Sequence, residues 1–274
     1  MHRDTLVIGL SDFHSGGTTS LFPNRFWQGQ HQNHTPTQKQ LDIWKHFETV
    51  AEYVRVNGNG KRLIVVHDGD ATDGNTYGVQ TITSNMDEQA EIHIELMRHF
   101  LKAANFDKSQ DKLYYVTGTE VHVGDIENSI AEKMGADGVY DKLELEVNGK
   151  ILIFVHHGKK RGAGANEGNG MRNWLRDVHH DYAKEGRRTP DMIISGHTHT
   201  PAWNNYVYRK GMDYHMIHGV IVPSWQAKTR FAVKVAPMDI NHIGAVCVEI
   251  KEYGEIRIPK FLIMSTEEGG RVLA

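Results

Sequence analysis

Five short apolar segments of this sequence each end in a loop that carries aspartate, glutamate or histidine. Short apolar runs of this kind are typical of buried strands. Because ligands in open α/β sheets bind outside the carboxyl ends of the strands, we expect the five loops, taken from one sheet, to converge on a single site. The segments and their polar residues are Thr5–Leu10 with Asp12 and His14, Lys61–His67 with Asp68, Asp70 and Asp73, Lys112–Thr117 with Glu120 and His122, Lys150–His156 with His157, and Asp191–Ser195 with His197 and His199.

Helical and strand patterns alternate in the first part of the chain, whereas the part from about residue 203 is rich in strands. No linker separates the two parts. We therefore predict one domain over residues 1–274, of α+β class, with two mixed sheets packed face to face and helices outside. The strand-rich part would contribute the second sheet, and the alternative is a smaller β-rich domain that begins near residue 203. The predicted helices are 37–56, 86–105, 126–134 and 171–185, and the late strands are 203–210, 214–222, 230–235, 243–251 and 255–263.

Composition narrows the class of protein. Hydrophobic residues make up 39% of the chain and charged residues 24%, which is typical of a soluble globular protein. A net charge of −3 excludes a strongly basic protein that coats nucleic acid. The single cysteine, Cys247, excludes an intramolecular disulfide and favours the cytoplasm. No apolar run is long enough to predict a membrane span.

Carboxylate and imidazole groups together predict a metal site, and the chain holds 18 histidines. This donor set suits Zn, Fe and Mn, while the lack of a cysteine cluster argues against a structural zinc site. In Asp12-x-His14 an extended turn would point both side chains to one side, and His197-x-His199 repeats that spacing. Asp70 could bridge two ions through its two oxygens. About seven ligands suit two ions roughly 3.5–4 Å apart, an arrangement used for in-line displacement at phosphorus.

Each of these motifs has an ordinary explanation when it is taken alone. A His-x-His pair is more often two surface histidines than a metal pair, and Gly-Asp is common in turns, where the aspartate binds its own backbone. The order of the motifs, each at the end of an apolar strand, is what indicates a shared site.

That order resembles the calcineurin-like metallophosphoesterases, whose pattern is D-x-H, G-D-x-x-D, G-N-H-[D/E], H and G-H-x-H. The resemblance covers roughly residues 5–200 and implies a four-layer α/β/β/α sandwich with a two-metal site. A G-T-x-x-H block and the segment Pro223–Arg230 also resemble phage-encoded members. The residues that match the family pattern are Asp12, His14, Gly69–Asp73, His156 and Gly196–His199.

The third block departs from the family pattern, because Gly118-Thr119-Glu120-Val121-His122 replaces Gly-Asn-His. In the family the Asn is a ligand of the second metal, and the His donates a proton or steadies the phosphate. We expect His122 to take the histidine role. Glu120 is the expected ligand in the Asn position, and Thr119 is the alternative. Of the pair that follows the fourth strand, His156 is preferred to His157 as a ligand.

The resemblance implies two divalent ions, for which Mn²⁺ is expected and Fe, Zn or Ni are alternatives. A hydroxide between the ions would attack phosphorus in line, His122 would act on the leaving oxygen, and Asp73 would orient a ligand. The implied ligands of the first ion are Asp12, His14, Asp70 and His199, and those of the second are Asp70, Glu120 or Thr119, His156 and His197.

The resemblance implies a phosphate ester as the substrate, since the family spans protein phosphatases, nucleotidases, cyclic-nucleotide phosphodiesterases, nucleases and lipid-sugar phosphatases. We expect a phosphodiesterase that acts on nucleotides or on nucleic acid, including a nuclease directed at single strands. The altered third block argues against the phosphoprotein phosphatases, which keep Gly-Asn-His-Glu. The alternatives are a phosphomonoesterase or nucleotidase, and a non-catalytic metal-binding scaffold, which the missing Asn supports.

Overall fold

The computed structural model describes residues 3–30, 33–75, 81–120, 125–158, 169–228 and 241–266. The predicted strand 230–235 and His122 lie outside these ranges. Within them the chain forms four helices and thirteen strands. The helices are α1 Gln38–Gly58, α2 Met86–Ala103, α3 Ile126–Met134 and α4 Asn169–Lys184. The strands are β1 Thr5–Leu10, β2 Trp27–Gln28, β3 Asn33–His34, β4 Arg62–Asp68, β5 Lys112–Val116, β6 Gly138–Tyr140, β7 Leu143–Val147, β8 Lys150–Phe154, β9 Met192–Ser195, β10 Ala202–Lys210, β11 Asp213–Ile221, β12 Asn241–Ile250 and β13 Lys260–Thr266.

Two mixed sheets form the centre of the described chain. The larger has the order β13-β12-β1-β4-β5-β6, in which β1, β4, β5 and β6 run parallel and β12 and β13 are antiparallel to their neighbours. The smaller has the order β10-β11-β9-β8-β7, with β8, β9 and β11 parallel. Strands β2 and β3 form a short hairpin in the long loop after β1. None of the described helices is long and apolar enough to span a bilayer.

Successive side chains of a strand point to opposite faces of its sheet, and this alternation explains the layers. In β1, Val7 faces the smaller sheet and packs with residues such as Phe154, whereas Ile8 faces the helices and packs with residues such as Phe47 of α1. Helices α1, α2 and α3 cover the outer face of the larger sheet. Helix α4 covers the outer face of the smaller sheet, where Leu175 is buried. The resulting α/β/β/α order confirms the predicted α+β sandwich.

The prediction that the chain from about residue 203 supplies the second sheet is wrong in part. Strands β10 and β11 join the smaller sheet, but β12 and β13 return to the larger one, where β12 pairs with β1. The rest of the smaller sheet is built by β7, β8 and β9, which come earlier in the chain. The predicted strand 255–263 also begins too early, since β13 starts at Lys260. Pro259 precedes it and cannot donate a backbone hydrogen bond to a ladder.

The five strands that lead to the polar loops belong to both sheets, and not to one as expected. Strands β1, β4 and β5 lie in the larger sheet, and β8 and β9 lie in the smaller. Strands buried on both faces have the same apolar pattern in either sheet, so the pattern did not separate them. The five carboxyl ends meet where the two packed sheets share an edge.

A buried aspartate, Asp111, lies just before β5, at the edge of the larger sheet opposite to the polar loops. Asp111 accepts hydrogen bonds from the backbone N–H of Leu63 and of Asp107, each at 2.8 Å. In Asp111→Asn the amide NH₂ replaces one acceptor and leaves one of these donors unpaired. We expect a loss of about 1–3 kcal/mol in the free energy of unfolding, measured by urea denaturation. An unchanged free energy of unfolding would show that this contact is dispensable.

Candidate metal centre

The loops at the shared edge of the sheets bring carboxylates and imidazoles together. Three groups have ligand atoms that all lie within 4.8 Å of one another. His156 belongs to two of them and Asp12 to two, so the groups form one continuous cluster. The groups are Asp12 with His14 and His199, Asp12 with Asp70 and His156, and His156 with His157 and His197.

The first group has the dimensions of one coordination site. The Oδ1 atom of Asp12 lies 3.2 Å from Nε2 of His199 and 3.8 Å from Nε2 of His14. The two Nε2 atoms are 3.1 Å apart. Two nitrogen ligands bound to one ion at about 2.0–2.1 Å are themselves roughly 3.0–3.4 Å apart. The three atoms therefore could hold a divalent ion.

Asp70 lies between this group and the other histidines. Its Oδ2 atom is 3.9 Å from Nε2 of His14 and 3.1 Å from Nε2 of His156. Thr119 approaches the same carboxylate, because its backbone N–H donates to Oδ1 at 2.6 Å and its hydroxyl donates to Oδ2 at 3.2 Å. A carboxylate in this position can contact two ions at once.

The loop after β5 places the side chain of Thr119 beside the histidines of this cluster. The Oγ1 atom of Thr119 lies 3.2 Å from Nε2 of His157 and 3.4 Å from Nδ1 of His197. Glu120, the expected ligand, is exposed and belongs to none of the three groups found in the described chain.

Burial makes the carboxylates of this cluster dependent on positive charge. Asp12 and Asp70 are almost fully buried. Burial raises the pKa of each, but the nearby imidazoles together outweigh it and lower both pKa values, with His199, His156 and His14 acting on Asp12 and His156 and His14 acting on Asp70. Oδ1 of Asp12 lies 3.2 Å from Nε2 of His199, and Oδ2 of Asp70 lies 3.1 Å from Nε2 of His156. A buried anion without sufficient partners is costly, and a bound cation removes that cost.

Backbone conformation is unusual at these residues. Among the described residues, seven other than glycine have a positive φ, and five of them belong to the cluster. The left-handed conformation is uncommon for such residues and costs about 1–3 kcal/mol where it is strained. The extended turn that we expected at Asp12-x-His14 is therefore wrong. The five are Asp12, His14, Asp70, His197 and His199, with φ values of 53°, 45°, 52°, 69° and 55°.

Two motif glycines stand where the loops touch. A Cβ atom on Gly118 would lie 2.2 Å from the backbone nitrogen of Asp70, and one on Gly196 would lie 2.1 Å from Oγ of Ser11. Both distances are far shorter than a van der Waals contact. A side chain on Gly118 would push the loop after β5 away from the loop after β4, and one on Gly196 would push the loop after β9 away from the loop after β1. The two glycines therefore permit the close approach of the loops that the cluster requires.

Neighbouring groups orient two of the histidines. Oδ1 of Asp73 lies 3.4 Å from Nδ1 of His14 and also accepts from the amide of Gln226 at 3.1 Å. The backbone oxygen of Asp68 lies 2.5 Å from Nδ1 of His156. Contacts at Nδ1 direct the other ring nitrogen toward the carboxylates, as is usual for metal-binding histidines. The orienting role expected for Asp73 stays a prediction, with His14 as the ligand beside it.

Four buried ionisable residues behind the cluster were not given roles by sequence reasoning. Burial raises the pKa of Asp68 to about 8 and that of Glu127 to about 7. Burial also lowers the pKa of His67 well below its usual range and that of His93 to about 3. His67 and Asp68 are at a strand end beside a motif, which was a usable signal. Glu127 and His93 lie in helices, where nothing in the sequence marks them.

The sequence matches no model of a known protein family and no curated protein. Solved structures do match. An archaeal phosphodiesterase is 12% identical, with 93% of this chain and 99% of that chain covered and a TM-score of 0.40. A protein of unknown function from Aquifex aeolicus is 15% identical, covering 72% and 80%, with a TM-score of 0.31. A protein from Thermotoga maritima is 15% identical, covering 96% and 99%, with a TM-score of 0.34. All three TM-scores lie below 0.5.

The metal-free protein should lose stability as the pH rises from about 6.5 to about 9. The pKa values of Asp68, Glu127 and His156 are raised to about 8, 7 and 10. Burial causes the first two shifts, whereas for His156 burial lowers the pKa and is outweighed by the hydrogen bond with Asp70 together with the negative charges of Asp12, Asp70 and Asp68. Above the unfolded pKa of each group the folded chain holds more protons than the unfolded chain, so the free energy of unfolding falls with pH.

Urea denaturation in a chelator at several pH values measures this effect. Asp68→Asn removes one of the three groups and should reduce the slope. A free energy of unfolding that stays constant or rises over this range would contradict the assignment of these groups.

Proposed function

We propose that residues 1–274 form a metal-dependent phosphoesterase domain that hydrolyses phosphodiesters. The observation that carries this proposal is the position of Asp70, whose Oδ2 atom lies 3.9 Å from Nε2 of His14 and 3.1 Å from Nε2 of His156. Two groups of ligands that share one carboxylate are suited to a pair of ions, and such pairs serve in-line displacement at phosphorus. The motif order that resembles the calcineurin-like metallophosphoesterases supports the same reaction.

Two divalent ions, with Mn²⁺ as the proposed metal, would bind here. When bound, they would lower the pKa of a water nucleophile and neutralise charge on the phosphoryl oxygens. The donor set of carboxylate, imidazole and hydroxyl oxygen fits such ions. The proposed ligands are Asp12, His14, Asp70 and His199 for one ion, and Asp70, His156 and His197, with Thr119 in place of Glu120, for the other.

The chain's own groups would position and protonate the reactants. Asp73 holds the ring of His14, and the carbonyl of Asp68 holds the ring of His156. His157 is exposed at the rim, with Nε2 3.2 Å from Oγ1 of Thr119, so it can reach a bound ester. His122 stays the predicted donor of a proton to the leaving oxygen.

Asp70→Asn tests the shared ligand while keeping the shape of the side chain. We expect kcat to fall at least about 1000-fold. The reason is that the substitution removes roughly 4 kcal/mol of transition-state charge stabilisation, and each 1.36 kcal/mol corresponds to about a tenfold change in rate. The measurement is turnover of bis-p-nitrophenyl phosphate in Mn²⁺, with metal content determined in parallel. Asp73→Asn is the matched control, since an orienting residue should cost about 10- to 100-fold. Full activity and full metal content in Asp70→Asn would refute the proposal.

Substrate class is tested by comparing two synthetic esters with the unaltered protein. We expect kcat/KM for bis-p-nitrophenyl phosphate, a diester, to exceed that for p-nitrophenyl phosphate, a monoester. The departure of the third motif from Gly-Asn-His-Glu supports this preference. A reversed ratio would indicate a phosphomonoesterase. Turnover of neither ester by protein that holds its metals would indicate a binding scaffold.

A further inference from the structure

A buried glutamate connects the backs of two loops of the metal centre. Glu127 lies in the first turn of α3 and is 1% exposed. Its Oε1 atom accepts from the backbone N–H of Ala71 at 3.2 Å, and its Oε2 atom accepts from the backbone N–H of Gly118 at 2.7 Å. Ala71 directly follows Asp70, and Gly118 directly precedes Thr119. One carboxylate therefore binds the loop after β4 and the loop after β5 together.

We propose that Glu127 is a positioning residue that sets the distance between the Asp70 carboxylate and the Thr119 side chain. This inference rests on the proposed function. Thr119 donates to both oxygens of Asp70 from the front of the two loops. Glu127 holds the same two loops from behind, so the pair cannot separate without breaking hydrogen bonds on both sides.

Helix packing alone does not account for a carboxylate at this position. Helix α3 is already attached to the core by Ile130 and Ala131, which are buried in the cluster beneath α1 and α2. An apolar side chain would fill the space without the cost of burying an acid. The ladder hydrogen bonds of the larger sheet end with β4 and β5, which leaves the two loop N–H groups in need of acceptors. The two oxygens of Glu127 supply them.

Small displacements of these two loops would change the positions of the ligand atoms at the metal centre. Movement of a reacting or ligating group by about 1 Å can cost roughly 100-fold in rate. The backbone of Thr119 is one residue from the Gly118 N–H that Glu127 binds, and a Cβ on Gly118 would collide with Asp70. Contact between Gly118 and Asp70 limits how closely the two loops can approach, and the hydrogen bonds to Glu127 limit how far they can separate. The spacing between the loops is therefore set within a narrow range.

Glu127→Gln tests this role, because it keeps the shape and turns one acceptor into a donor that faces a backbone N–H. We expect the affinity for the more weakly bound Mn²⁺ to fall about 10- to 100-fold. We expect kcat to fall by a similar factor while KM for bis-p-nitrophenyl phosphate stays within twofold. Titration calorimetry with Mn²⁺ alone gives the affinity without any need for turnover.

Asp111→Asn is the matched control, because Asp111 also accepts from two backbone N–H groups while lying at the opposite edge of the same sheet. It should lose comparable stability to urea and keep the Mn²⁺ affinity and kcat of the unaltered protein. If Glu127→Gln behaves like this control, Glu127 is merely structural and the inference is wrong. If Glu127→Gln does not fold, Glu127→Asp, which keeps both acceptors at a shorter reach, should lower the affinity, and an unchanged affinity would overturn the inference.

Failure of the proposed function gives a different pattern. In that case the unaltered protein binds Mn²⁺ but turns over no phosphate ester. The calorimetric comparison of Glu127→Gln with the unaltered protein still decides whether Glu127 positions the metal ligands.

Discussion

Two buried carboxylates, Asp12 and Asp70, are the constraint on which the rest of the centre depends. An ionised acid in a protein interior is stable only when positive charge or a metal ion compensates it. The surrounding imidazoles of His14, His156 and His199 lie within about 4 Å of these oxygens and lower the pKa of both acids. The same arrangement of donors that holds protons in the metal-free protein could hold divalent ions in their place.

The fold meets this constraint by placing two sheets face to face with their strand ends at one edge. The larger sheet contributes both acids and His14 from the loops after β1 and β4, and the smaller sheet contributes the other histidines from the loops after β8 and β9. Asp12 and Asp70 adopt positive φ values in the loops where the strand ends of the two sheets meet, a place we call the seam. Gly118 and Gly196 allow these loops to touch. Packing between the sheets therefore determines the spacing of the donors.

Much of this could be predicted from the sequence, because strand periodicity and the position of polar residues at strand ends are local signals. Helices, most strands, and the cluster of Asp12, His14, Asp70, His156, His197 and His199 follow from them. Membership of a strand in one sheet or the other could not be predicted, since strands buried on both faces have the same pattern. Glu120 is the ligand expected from the sequence and Thr119 the alternative, but the direction of each side chain depends on the conformation of the loop after β5. Glu127 carries no local signal because its partners are backbone groups of distant loops.

The central claim is that one aspartate is shared by two metal ions at the seam of the sheets. Anomalous X-ray diffraction at the manganese edge, from crystals grown with Mn²⁺, tests it most directly. The account predicts two anomalous peaks on either side of the Asp70 carboxylate, about 3.5–4 Å apart. A single peak, or peaks that do not touch Asp70, would contradict it.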